Sequence, residues 1–101
     1  MIFFNVEEAR NFLVKNGFVY TLRRHRKHLG SNLAVYGGYY KWEKLGACNI
    51  EFIKDVSWMG DLTAEDVENS GFETVTDWWK VAMKFYQGSA FSLALYKVIL
   101  V

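Results

Sequence analysis

Residues 91–101 read Phe-Ser-Leu-Ala-Leu-Tyr-Lys-Val-Ile-Leu-Val. Apart from Lys97, both alternating faces of this stretch are apolar. A strand of that kind has to lie centrally in a sheet or be covered on both sides. It is far shorter than the roughly 20 residues a helix needs to span a bilayer. A chain of 101 residues is the size of one domain and buries about two-thirds of its unfolded surface. Residues 1–101 therefore form a single domain by this reading, with no linker, repeat or low-complexity segment. Hydrophobic residues make up 51% and aromatic residues 18%, enough to pack a core and to leave rings over for the surface.

Proline is absent, and glycine supplies the punctuation. Residues 5–16 read as a helix with Asn5 as cap, Glu8 at the capping-box position and Val6, Ala9, Phe12 and Leu13 along one stripe. Gly17 ends it. Residues 18–23 alternate as a strand, with Phe18, Tyr20 and Leu22 on one side and Val19, Thr21 and Arg23 on the other. Residues 24–32 are polar and basic and read as a loop. Residues 33–36 and 39–44 read as two strands joined by a Gly37-Gly38 turn. The clearest strand is 46–59, with Cys48, Ile50, Phe52, Val56 and Trp58 expected inward and a bulge expected where Lys54 interrupts them. Thr63 with Asp66 and Thr74 with Asp77 read as caps of a short helix and of a longer one over 75–87. Strands and helices do not alternate, so the class is α+β: a small, mostly antiparallel barrel or curled sheet, flanked by an N-terminal helix and by two helices before the last strand.

Net charge is only +1, so any electrostatic footprint is local. Arg23, Arg24, Arg26 and Lys27 lie within five positions, beside His25 and His28. Thr21 and Arg23 project to one side of their strand, and such a group suits a phosphate. Paired surface charges would account for the same run. Tyr36, Tyr39, Tyr40 and Trp42, with Lys41 among them, offer rings for stacking on unpaired bases, or pack; about half are expected in the core. Cys48 is the single cysteine, expected as a buried structural thiol. It allows neither an internal disulfide nor a cysteine-based zinc site, and it fits a reducing, cytoplasmic setting. His25 and His28 lack a third ligand nearby, so no metal and no cofactor are expected. Residues 1–4 are apolar but meet Asn5, Glu7 and Glu8 at once, unlike a signal peptide. Glu65, Asp66 and Glu68 are either a source of a general base or charges that offset a helix dipole.

Three stretches resemble ASCH domains of the PUA-like class. They are Tyr20-Thr21-Leu22-Arg23, then Gly46-Ala47-Cys48-Asn49-Ile50-Glu51, then Glu68-Asn69-Ser70-Gly71-Phe72 followed by Asp77-Trp78-Trp79 and Phe85-Tyr86. Their order covers most of the chain. The resemblance implies a PUA-like barrel with a cleft between barrel and helices, Thr21 and Arg23 inside it, and binding of RNA or a nucleotide, in RNA metabolism or translation-related regulation. It also implies an alternative, a small hydrolase in the same cleft, either a ribonuclease or an amidohydrolase on acetylated cytidine. Those amidohydrolases use a Lys, a Thr and a Glu. Thr21 matches the Thr and Glu65 or Glu68 would supply the Glu, but Phe18 stands where the Lys is expected. The expectation is therefore a binding module whose contacts are Thr21, Arg23, Arg24, Arg26, Lys27, Tyr39, Tyr40 and Lys41, with RNA or a nucleotide as partner and no membrane.

Overall fold

The computed structural model describes residues 1–86 and 93–101. The chain order is β1 (Ile2–Phe3), α1 (Glu7–Asn16), β2 (Phe18–Arg23), β3 (Gly30–Gly37), β4 (Trp42–Val56), α2 (Ala64–Glu68), α3 (Val75–Phe85) and β5 (Leu93–Leu100), with one 3₁₀ turn over Met59–Asp61. The fold is α+β: the described residues form one curled, five-stranded half-barrel in the order β1-β3-β4-β5-β2, with three α-helices. The sheet is mixed. β1 runs parallel to β3, while β3–β4, β4–β5 and β5–β2 are antiparallel. The antiparallel expectation fails at β1 because a two-residue strand shows no alternation to read, and its chain direction is set by the helix that follows.

β5 lies between β4 and β2, and both its faces are covered as its composition requires. Ala94, Tyr96 and Val98 join Ile2, Phe4, Leu13, Val19, Ala34, Cys48 and Ile50 in a core on the α1 side. Leu93 and Leu95 join Leu22, Val56, Leu62, Trp78 and Ala82 in a second core under α3. Phe91, Ser92, Gln87 and Gly88 of the expected strand, helix and punctuation lie outside the described residues.

Several local expectations change. Asn5 does not cap α1; Val6 holds that position without a side-chain bond. Asn5 is drawn to the sheet instead. Its Nδ2 donates to the Gly37 carbonyl at 3.0 Å, and its Oδ1 accepts from Gly37 N–H at 2.7 Å. Gly17 does end α1, at φ 81°. β3 starts at Gly30, earlier than expected, and its turn comes later: Gly38 and Lys41 exchange backbone hydrogen bonds around Tyr39-Tyr40. Those two tyrosines therefore sit on a hairpin tip rather than in a strand. They are 77% and 97% exposed, and Trp42 is exposed as well. None of the four rings expected to share core duty is buried.

β4 is one strand of 15 residues. Cys48, Ile50 and Val56 are buried as expected. The register slips between Phe52 and Lys54, as the interrupted pattern foretold. Phe52 is 47% exposed, leaning edge-on against Tyr96 at the rim, and Trp58 lies past the strand end in solvent. The half-barrel is too short to cover either ring. Beyond the bulge Lys54 turns to the α2 side, where its Nζ meets the buried Asp66 at 2.7 Å.

Candidate ligand-binding cleft

A cavity of about 220 Å³ lies where the open edge of β2 meets the β1–α1 corner and α3. β2 supplies Tyr20, Thr21, Leu22 and Arg23; the corner supplies Phe3, Phe4, Asn5 and Val6; α3 supplies Trp78, Val81 and Phe85. Alternation along β2 explains the first group. Val19, Thr21 and Arg23 follow the inner face of the half-barrel, while Tyr20 and Leu22 lean toward α3. The capped start of α3, with Thr74 Oγ1 accepting from Asp77 N–H, sets which face of the helix looks at that edge.

Arg23 is the chemical centre. Its Nε donates to Thr21 Oγ1 at 3.0 Å, and its guanidinium carbon lies 4.9 Å from the centroid of the Phe4 ring. Among the described residues it has no other hydrogen bond and no carboxylate partner, which leaves its Nη groups to the cavity. Burial pushes the guanidinium well below its usual range, to about 10; Tyr86 opposes that shift and the positive charge of Arg26 adds to it. At neutral pH Arg23 is still a full cation. It is a charge held in apolar surroundings without a counter-ion, which is an unfavourable state that an incoming anion relieves.

Thr21 is buried, and its hydroxyl oxygen is engaged by Arg23. Arg24 lies at the rim, its guanidinium 5.6 Å from the Tyr86 ring centroid. Arg26 belongs to the body of the fold. Its backbone N–H donates to the Tyr96 hydroxyl at 2.8 Å, its Nη2 donates to the Met1 carbonyl at 3.3 Å, and its Nε is buried without a partner among the described residues. Lys27 and His28 are exposed on the loop after β2, and His25 pairs with Asp55 at 3.1 Å. Tyr39, Tyr40 and Lys41 occupy the hairpin tip and do not line the cavity. Neither Glu65 nor Glu68, both exposed on α2, lines it either. Cys48 is a buried free thiol whose proton is held more tightly because of that burial.

The sequence reading missed Phe4, whose ring lies under the guanidinium, because β1 is too short to register as a strand. It also missed the role of Phe85 and Tyr86, which widen the apolar stripe of α3; Tyr86 reaches back to donate to the Leu22 carbonyl at 3.4 Å. Trp78 both anchors the second core and walls the cavity. Among the described residues no cluster of His, Cys, Asp or Glu is arranged to hold a metal, and no helix is long and apolar enough to cross a membrane. No protein-family model matches this chain, and neither the curated proteins nor the solved structures contain a match to it.

Proposed function

We propose that this protein is a binding module for RNA or a nucleotide, with one nucleotide unit held in the cleft, base against the aromatic wall and phosphate on Arg23. The observation that carries the reading is the Arg23 guanidinium. It is part-buried, has only Nε hydrogen-bonded among the described residues, lies against the Phe4 ring, and lines a cavity walled also by Phe3, Val81 and Phe85. An apolar site with one fixed cation recognises an anion joined to a flat apolar body. At about 220 Å³ the cavity lies below the roughly 300 Å³ at which drug-sized pockets begin, so it takes one unit of a larger ligand. Arg24 over Tyr86 and Lys27 on the same loop add positive charge outside the mouth. The curled sheet with helices packed beside β2 is what an ASCH-like, PUA-like domain would require, and a cytoplasmic setting goes with that reading.

Titration of short unstructured RNA against the intrinsic tryptophan fluorescence tests it, since Trp78 walls the cavity. Binding is expected at low salt, weakening as salt rises because displaced counterions no longer favour the complex. Arg23→Ala is expected to reduce affinity by one to two orders of magnitude, as loss of a charge-assisted pair worth about 1.5–3 kcal/mol implies. RNA and mononucleotides that leave the fluorescence unchanged even at low salt would remove the proposal.

A further inference from the structure

Resting on that reading, we propose that the cleft selects a phosphate bearing a single negative charge, the phosphodiester inside a strand, over the doubly charged monoester of a free or terminal nucleotide. Arg23 is the only charged residue among the described residues that line the cavity. The neighbouring cations keep their charge but do not line the cavity: Arg24 stands over the Tyr86 ring at the rim, Arg26 donates to the Met1 carbonyl, and Lys27 is exposed on the loop. Residues 87–92, Gln-Gly-Ser-Ala-Phe-Ser, contain no lysine or arginine and add no cation. One guanidinium neutralises one charge. A second negative charge would find no second cation lining the cavity, only the more distant charges at its rim, and its desolvation is then poorly offset. The two non-bridging oxygens of a diester match the forked guanidinium, and its total charge matches as well.

The edge of β2 supplies a neutral donor beside this cation. Tyr20 N–H points away from β5, donating to the Asn69 carbonyl at 2.8 Å. Antiparallel pairing alternates, so Leu22 N–H points outward too. The Leu22 carbonyl on that side already accepts from Tyr86. The Leu22 amide, which has no partner among the described residues, adds a hydrogen bond without adding charge. The site thus gains donors for an oxyanion while its charge stays at one.

The test compares the four nucleoside 3′-monophosphates with their 3′-methyl phosphodiesters at pH 7.5 and fixed ionic strength, by calorimetry and tryptophan fluorescence. A monoester is largely doubly charged at that pH, since its second pKa is about 6. The expected result is that the diester of the preferred base binds roughly tenfold tighter than its monoester, a ratio equivalent to about 1.4 kcal/mol. In Arg23→Gln the diester should lose that advantage. A monoester that binds as tightly as the diester, or more tightly, overturns this inference and leaves the binding proposal standing. If no ester and no short RNA binds, both fall. The wild-type comparison is decisive by itself, so it holds whether or not Arg23→Gln folds.

Discussion

Arg23 is where one side chain works against stability in favour of a ligand. Arg23→Met fills similar space without the charge. It is expected to raise unfolding free energy by about 1 kcal/mol in denaturant titration, after allowing for the lost contact with Phe4, while weakening anion binding as Arg23→Ala does. The pH dependence has a definite sign. The folded protein holds this proton less tightly than the unfolded chain does, with a folded pKa of about 10. Below pH 10 both states carry the charge and its unfavourable burial is felt in full. Above about 10 the folded state releases the proton first, so wild type gains stability relative to Arg23→Met until the unfolded guanidinium titrates as well. Denaturant midpoints of the two proteins that run parallel through this range would contradict that account. Thr21 and Arg23 could be placed together from the sequence because strand alternation is local. The partnering of Arg23 with Phe4, 19 positions away in the chain, could not, because nothing local brings the first residues to the edge of β2.

At the level of elements, α2 is tied to the sheet at both ends, by Tyr20 N–H on the Asn69 carbonyl that follows it and by an ion pair near its start. Lys54 Nζ reaches Asp66, whose carboxylate also accepts from Thr63 N–H at 2.9 Å, while Thr63 Oγ1 accepts from Asp66 N–H at 3.2 Å. Burial alone would raise the Asp66 pKa, but the Lys54 ammonium and the bonds from Thr63 outweigh it and hold the carboxyl below its usual range. Asp66 therefore contributes stability above the ordinary carboxylate range, and that contribution is lost as pH falls through its depressed folded pKa. Lys54→Met leaves the buried carboxylate unpaired. It should cost about 1–3 kcal/mol at pH 7, less than for a fully buried pair because Lys54 is about one-third exposed, and the deficit should shrink in acid. Equal losses at pH 7 and at pH 3 would show that the lost charge pair is not the cause. Sequence periodicity located α1, β2, the bulge in β4 and the caps of α2 and α3 because each is a local device. It misjudged Phe52 and Trp58, expected inward, and the expectation that about half of Tyr36, Tyr39, Tyr40 and Trp42 would be core, because exposure depends on how far the sheet curls. Parity shows which face a ring occupies, not whether that face is covered there.

Across the whole molecule, the connection between α2 and α3 closes against α1 at Gly71. A Cβ at that position would collide with the Glu8 carbonyl oxygen, and its φ is +90°. Gly71→Ala should therefore cost about 2–4 kcal/mol, combining a left-handed backbone, about 1–2 kcal/mol, with displacement of α1. It should also weaken ligand binding, since α1 and α3 flank the same cleft. A thermal midpoint within a degree or two of wild type would show that the two helices can separate freely. The strand order has one more consequence, and it concerns synthesis on the ribosome. β5 lies between β4 and β2, so β2 has no neighbouring strand until residues 93–100 have been made. A nascent chain reaching only to α3 can form the β3–β4 hairpin and dock β1 beside it, but β2 with Thr21 and Arg23 hangs unpaired. The cleft therefore comes into existence in one late step, when β5 is inserted, and a chain arrested before that step carries every residue of the cleft and none of its geometry.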